Sequence, residues 1–140
     1  MTIEEIYENF ELLDDWEDRY RYVIELGKTL EPLAESEHNA ENKVRGCASQ
    51  VWLSSTVDRR HNQARMAFRG DSDAHIVRGL VAIVITLFDG KTPAEILEID
   101  AEAVFEKIGL SGHLTAQRAN GLRALVDRIR ADAASLNATG

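Results

Sequence analysis

The chain contains a single cysteine, Cys47, within the stretch Asn42–Leu53, which reads NKVRGCASQVWL. An intramolecular disulfide needs two cysteines and a structural zinc site needs several ligands, so Cys47 alone can provide neither. Three roles remain for it: an inert buried residue, a link to another molecule, or a reactive nucleophile. Lys43 and Arg45 precede it closely, and nearby cations favour the reactive thiolate. These residues alone leave the three roles open.

Other candidate chemistry is sparse. The four histidines are scattered and form no His-x-x-His pair, and no Cys-x-x-Cys pair is present, so we expect neither a metal nor a cofactor. A papain-like hydrolase is disfavoured because no family signature surrounds Cys47. Asp73 fits a helix N-cap or a first-turn acid. Arg118 lies at the start of the predicted last helix, where the macrodipole disfavours a cation and suggests a partner carboxylate. The histidines are His38, His61, His75 and His113.

Composition predicts one globular domain, since 140 residues with 44% hydrophobic content suit a single core. No apolar run approaches the roughly 18 residues of a membrane span, and acids occupy the start, where a signal peptide carries cations. We therefore expect a soluble, cytoplasmic protein without a membrane partner.

Charge is unevenly distributed along the chain. Residues 1–41 hold 13 of the 24 acidic residues but only three of the 16 basic ones. The basic footprint of a nucleic-acid-binding protein is missing, so no nucleic-acid partner is expected. The acidic third is either a well-solvated surface or a face that meets a basic protein.

Hydrophobic spacing predicts two N-terminal helices. Thr2–Glu5 has the form of a capping box, and apolar residues follow at helical intervals as far as Leu13. A second helix is expected to begin near residues 14–15 and to stop at Gly27. The pattern fails in residues 31–45, which predicts a polar loop leading into the cysteine.

The period changes to two after the cysteine. Alternation in residues 51–57 and again in residues 64–69 predicts two strands, joined by a turn at residues 58–62. Asp71–Asp73 is expected to cap a buried central helix over residues 74–88. Further helix signals are Thr92–Glu95 with Pro93, Asp100 as a cap, Gly109 as a stop, and Thr115 before a last helix carrying Leu122, Leu125, Val126 and Ile129.

This order predicts an α+β fold, with a small antiparallel sheet of about three strands packed against several helices. The domain is expected to cover residues 1–135, and residues 136–140 are expected to form a frayed tail.

The residues around the cysteine resemble the signature of the SufE family of sulfur-acceptor proteins, in the pattern Asn42-x-Val44-x-Gly46-Cys47-x-Ser49-Gln50-Val51-Trp52-Leu53. Further stretches resemble family blocks in the family's order and extend the match over roughly residues 10–130. Two departures are Ala48, where the family often has glutamine, and Gln117, where it often has serine. The further stretches are Trp16-Glu-x-x-Tyr20 through Glu25-Leu-Gly27, Gly70–Ala74 with Ile76-Val-x-Gly-Leu80, and Leu110-x-x-His-Leu114 with Arg118-x-Asn-Gly-Leu122.

The resemblance implies a sulfur carrier, not a stand-alone enzyme. Cys47 would accept persulfide sulfur from a pyridoxal-phosphate-dependent cysteine desulfurase of the SufS type, stimulate it, and pass the sulfur on for iron–sulfur cluster assembly. The implied fold is similar to that of IscU-type scaffolds, and the implied downstream partner is a scaffold of the SufBCD type. A homodimer is a further expectation. Residues expected to bind the partner or support the loop are Arg45, Gly46, Ser49, Gln50, Asp73 and Arg118.

Two alternatives stay open. A CsdE-like paralogue would serve a different desulfurase, although Ser49-Gln50 and Ser72-Asp73-Ala74 favour the SufE type. An adaptor protein would carry an incidental cysteine. For either carrier, Cys47 is expected to lie against an apolar pocket formed partly by the following strand, and Asp73 and Arg118 to approach each other or the cysteine loop.

Overall fold

The computed structural model describes residues 2–31, 33–45, 50–59 and 62–139. Within these ranges the chain forms an α+β fold of six helices and one two-stranded antiparallel sheet. Single 3₁₀ turns lie at Glu35–Glu37 and Leu110–Gly112. The helices are α1 (Ile3–Leu12), α2 (Trp16–Gly27), α3 (His75–Phe88), α4 (Pro93–Glu98), α5 (Ala101–Lys107) and α6 (Ala116–Thr139), and the strands are β1 (Val51–Asp58) and β2 (Arg65–Ser72).

The two N-terminal helices begin where the sequence predicts. Thr2 Oγ1 accepts a hydrogen bond from the Glu5 N–H at 3.3 Å, and Asp15 Oδ1 accepts one from the Asp18 N–H at 2.9 Å. Each bond satisfies a backbone donor that the first helical turn leaves unpaired. The predicted end of α2 at Gly27 is also confirmed.

The predicted hairpin is confirmed, with Leu53 opposite Gly70 in an antiparallel register. Leu53 and Phe68 lie on its buried face, as the alternation indicates. The strand count, however, is two where about three were predicted. In residues 31 and 33–45 the sheet gains only an isolated bridge between Lys43 and Trp52, and a single pairing does not make a strand.

Helix α3 is the predicted central buried helix, with eight buried residues. Its start was predicted wrongly: β2 continues through Ser72, and the N-cap is Ala74, which has no capping side chain. Residues 71–73 are therefore not helix caps. Ser72 Oγ accepts the Ala74 N–H at 3.3 Å, and Asp73 bonds elsewhere. Acidic side chains before a helix suit capping, but here Asp71 and Asp73 bond to distant partners instead.

Among the C-terminal helices, α6 packs against α3 and β1, and α4 packs against α6. Helices α4 and α5 begin with the predicted caps. Thr92 and Glu95 form a reciprocal capping box at the start of α4, and Asp100 Oδ1 accepts the Ala103 N–H at 3.2 Å in α5. Gly109 adopts φ +78°, a left-handed conformation that glycine allows after a helix. Helix α6 continues to Thr139, past the point where a frayed tail was expected.

The predicted apolar face of α6 is buried, with Leu122, Leu125, Val126 and Ile129 all in the core. Among the described residues, every helix is too short or too polar to cross a bilayer.

Candidate functional site

Backbone pairing brings together the two ends of the segment that carries the cysteine. The Val44 N–H donates to the Val51 carbonyl at 2.8 Å, and the Leu53 N–H donates to the Asn42 carbonyl at 2.8 Å. The chain therefore enters and leaves residues 45–50, here called the site loop, from adjacent positions. Three of the predicted site residues, Gly46, Cys47 and Ser49, lie outside the described residues, as does Ala48.

Asp73 is bonded to the last residue of the site loop. Its Oδ1 accepts the Gln50 N–H at 3.2 Å, and its own N–H donates to the Gln50 carbonyl at 3.3 Å. Two predicted site residues, 23 positions apart, are thus in direct contact. Asp73 lies between the end of β2 and the start of α3, so the sheet and the central helix together set the position of this end of the loop.

Arg118 lies in the first turn of α6, where its guanidinium donates from Nη1 to the Tyr20 hydroxyl at 2.8 Å. Its backbone N–H donates to Thr115 Oγ1 at 3.2 Å. In the described part of the chain no ion pair joins Arg118 to Asp73. The hydroxyl of α2 therefore orients this cation, where the sequence suggested a carboxylate.

A cavity of about 220 Å³ lies beside the start of β1. Val51, which directly follows Gln50, forms part of its wall, and Arg118 lies at the same cavity. Most of the other lining residues are aliphatic, so the cavity places mainly apolar walls beside one guanidinium. The remaining lining residues are Val77, Leu80, Val81, Thr115, Gln117, Gly121, Leu122 and Leu125.

Arg45 lies at the other end of the site loop and is exposed. With Lys43 and Val44 it borders a separate groove of about 470 Å³, whose far side is formed by α6 residues that include Arg128. Arg128 also donates from Nη2 to the Glu41 carbonyl at 2.8 Å. Two of the predicted site residues therefore border different concave surfaces, Arg118 the first and Arg45 the second.

Sequence reasoning missed the contacts of His38, which it considered only as one of four scattered histidines. Its Nε2 lies 2.9 Å from Asp71 Oδ2, and its ring meets the Trp52 ring edge-on at 4.6 Å between centroids. Sequence reasoning also missed the contact between Tyr20 and Arg118, which lie 98 positions apart. Local patterns carry no signal for contacts at such separations.

Two pKa shifts are found in the described residues, and neither group borders the site loop. Burial, with a smaller contribution from the Glu4 carboxylate, raises the pKa of Tyr7. Hydrogen bonds from the Thr92 backbone and side chain lower the pKa of Glu95 within the α4 capping box. Among the described residues no group of three or more His, Cys, Asp or Glu is arranged to hold a metal ion.

Comparison with known families gives a match over nearly the whole chain. Residues 4–133 match the family model SufE, described as the Fe-S metabolism associated domain. A SufE-like protein of Rhizobium etli, described as uncharacterized, is 56% identical over 132 residues, which cover 94% of this chain and 89% of that protein. A second, from Rhizobium meliloti, is 54% identical over 132 residues, covering 94% of each chain.

A solved structure shares the fold. The solution structure of a hypothetical protein from Thermus thermophilus superimposes with a TM-score of 0.71 and covers 96% of this chain and 97% of its own. The two sequences are 20% identical, so the likeness concerns architecture alone. It agrees with the α+β class predicted from the sequence.

Proposed function

This chain belongs to the SufE family, and from that membership we propose that it is a sulfur carrier that loads sulfur on Cys47 and delivers it for iron–sulfur cluster assembly. The observation that carries the proposal is the family match over residues 4–133 combined with a single cysteine in the entire chain. A carrier with one thiol has no second thiol that could discharge its sulfur by forming an internal disulfide.

The proposed step is a thiol–persulfide exchange. The Cys47 thiolate attacks the outer sulfur of the persulfide on a pyridoxal-phosphate-dependent cysteine desulfurase of the SufS type. The sulfur–sulfur bond of the donor breaks, its cysteine leaves as a thiolate, and a new sulfur–sulfur bond forms on Cys47. The reaction transfers one neutral sulfur atom and needs no external oxidant or reductant.

The cavity beside Val51 supports this chemistry. A persulfide is small and polarisable, is anionic when deprotonated, and is lost to water or stray thiols when exposed. Apolar walls would exclude water, and the Arg118 guanidinium would favour the anion more strongly there than in bulk solvent. In this proposal Asp73 holds the loop end at Gln50, and Arg45 contributes to partner binding on the opposite side.

Three further assignments belong to the same proposal: a cytoplasmic location, delivery to a scaffold of the SufBCD type, and association as a homodimer. The acidic residues concentrated in the first 41 positions suit a basic surface on a protein partner.

Intact-mass spectrometry tests the proposal directly. After incubation with a cysteine desulfurase and cysteine, the protein should gain the mass of one sulfur atom, about 32 Da, and dithiothreitol should remove it. Cys47→Ser should gain nothing. A sharper control combines Cys47→Ser with Ser49→Cys, which moves the only thiol two positions within the same loop. If this double variant were loaded with sulfur as well as wild type, the position of the thiol would be unimportant. That result would count against a specific acceptor site at Cys47.

The alternatives give different results in the same assay. An adaptor with an incidental cysteine would still stimulate the desulfurase as the Cys47→Ser variant, measured as alanine release, and would carry no added sulfur. A CsdE-like paralogue would be loaded by another desulfurase in preference to a SufS-type enzyme. Loading rates with purified enzymes of both types therefore separate the two carrier branches.

A further inference from the structure

Residues 37–44, here called the approach segment, lead into the site loop and pass over the outer face of the sheet. Trp52 of β1 and Asp71 of β2 lie directly opposite each other in the hairpin register. His38 contacts both: its Nε2 lies 2.9 Å from Asp71 Oδ2, and its ring meets the Trp52 ring at 4.6 Å and 75°. The start of the approach segment is thus held against a cross-strand pair.

The bond between His38 and Asp71 is partly shielded from solvent. The two side chains are 27% and 16% exposed. Because a carboxylate only accepts hydrogen bonds, Nε2 of His38 must carry the proton and donate. A charge-assisted bond in such surroundings contributes more than an ion pair on an open surface. Asp71 Oδ1 also lies 3.2 Å from Nε of Arg78, so the same carboxylate connects the approach segment with α3.

Hydrogen bonds connect His38 to the backbone through which the chain enters the site loop. The Asn42 side chain donates from Nδ2 to the carbonyl of Glu37, the neighbour of His38, at 2.9 Å. The Asn42 carbonyl in turn accepts the Leu53 N–H at 2.8 Å. The Glu37 carboxylate pairs with Arg69 of β2. A displacement of His38 would therefore shift the backbone that delivers the chain to the site loop.

Asp71 and Asp73 each hold one side of the site loop. Asp73 holds Gln50, where the chain leaves the loop, and Asp71 holds His38, upstream of the point where the chain enters it. Only Ser72 separates the two acids. One short stretch at the end of β2 therefore positions both sides of the loop.

We propose that His38, held by Asp71, is a positioning residue for sulfur transfer. Its hydrogen bond fixes the approach segment, and the approach segment fixes where the chain enters the loop that carries Cys47. The inference rests on the proposed carrier function. The donor at Nε2 is the essential feature, because the Trp52 contact alone would leave the ring free to slide along the sheet face. Loss of this donor should therefore change the transfer step and leave the affinity for the desulfurase unchanged.

Two measurements on matched variants test the proposal. His38→Ala removes the donor, His38→Gln keeps an amide N–H near the position of Nε2, and Lys28→Ala breaks an exposed 2.9 Å pair with Glu25 as a control. The first measurement is the alkylation rate of Cys47, the only thiol, by iodoacetamide in the isolated protein. The second is the sulfur-transfer rate from a cysteine desulfurase over a range of carrier concentrations.

For His38→Ala we expect alkylation to be about threefold faster or more, since the loop is held less firmly. The maximal transfer rate should fall about fivefold, with the half-saturating carrier concentration unchanged within about twofold. His38→Gln should recover at least half of the wild-type rate, and Lys28→Ala should equal wild type in both assays. His38→Asn, whose shorter amide does not reach Asp71, replaces the alanine variant if that one does not fold.

The proposal is overturned if His38→Ala matches wild type in either assay, or if only the half-saturating concentration changes, which would indicate docking. It is also overturned if the sulfur-transfer rate of His38→Gln is as low as that of His38→Ala. A wild-type protein that accepts no sulfur would refute the carrier function instead. In that case the alkylation rates alone still show whether His38 positions the loop.

Discussion

The α2–α3 interface and the site end of the sheet are held together by different kinds of contact. Gly79 of α3 lies against the Val23 backbone of α2, and the surroundings are apolar. The site end instead depends on single polar contacts such as Asp73 with Gln50 and Arg118 with Tyr20. Burial contributes roughly 25 cal/mol per Å² of apolar surface, whereas one hydrogen bond contributes only about 1 kcal/mol. Stability is therefore concentrated in the helices, and the site can be altered at little cost in stability.

The largest effect on stability is expected from Gly79→Ala. A Cβ at this position would lie 2.6 Å from the Val23 carbonyl carbon, and the backbone of α2 would have to move. We expect a loss of about 2 kcal/mol or more in the free energy of unfolding, measured by urea denaturation. Gly112→Ala, where no heavy atom lies within 4 Å of the added methyl, should stay within about 0.5 kcal/mol of wild type. Equal midpoints for the two variants would show that the helices separate without cost.

Asp73→Ala should reverse that pattern, with a large effect on function and a small one on stability. The change frees Gln50 from its side-chain acceptor, so sulfur transfer to Cys47 should fall about fivefold while stability falls by about 1 kcal/mol. Asp73→Asn keeps an Oδ1 acceptor and should retain most of the transfer rate. Transfer is measured by intact mass against time. If the alanine variant transfers sulfur at the wild-type rate, Asp73 serves only to connect β2 with α3.

Tyr20→Phe tests the second polar contact of the site. Loss of the hydroxyl removes a partner of the Arg118 guanidinium, so the transfer rate should fall about two- to threefold, and Arg118→Ala should reduce it further. Tyr22→Phe is a matched control, because its hydroxyl accepts from Asn9 Nδ2 at 2.9 Å on the surface between α1 and α2. Identical transfer rates for the two phenylalanine variants would mean that Tyr20 does not orient Arg118.

The smallest effect should come from Glu95→Gln, in a helix cap outside both regions. Its pKa is lowered by the Thr92 hydrogen bonds, so its stabilising effect is present above the unfolded-state pKa and disappears as pH falls through the folded-state value. Wild type should therefore melt slightly above the variant at neutral pH, and the two should converge at acid pH, where Glu95 is protonated. A difference that persists at that pH would assign the effect to packing. Calorimetry at both pH values measures the difference in melting temperature between wild type and the variant.

Helix starts were predictable because their signals are local. Thr2, Asp15, Thr92 and Asp100 each bond to a backbone N–H three residues ahead, a distance that sequence spacing specifies directly. The same reasoning failed for Asp73, because an acid before a helix suits capping as well as any long-range bond. Only the register of the hairpin brings Gln50 beside it.

The antiparallel hairpin was predicted correctly, but the number of strands in the sheet was not. Alternation identified β1 and β2 because one face of each is buried, and that requirement sets a period of two. The approach segment has no such alternation, yet Lys43 pairs with Trp52, since its path is decided by side-chain contacts such as His38 with Asp71. Isolated pairings of this kind have no sequence period.

The sequence by itself determined the family, the α+β class, the single thiol and the apolar faces that build the core. Tertiary structure alone decided which polar groups meet: Gln50 with Asp73 across 23 positions, His38 with Asp71 across 33 and Tyr20 with Arg118 across 98. Local propensity acts over a few residues, so it specifies caps, periods and faces. Contacts between distant polar groups form only after apolar packing has offset the entropy of closing the intervening chain, and their partners are set by that packing.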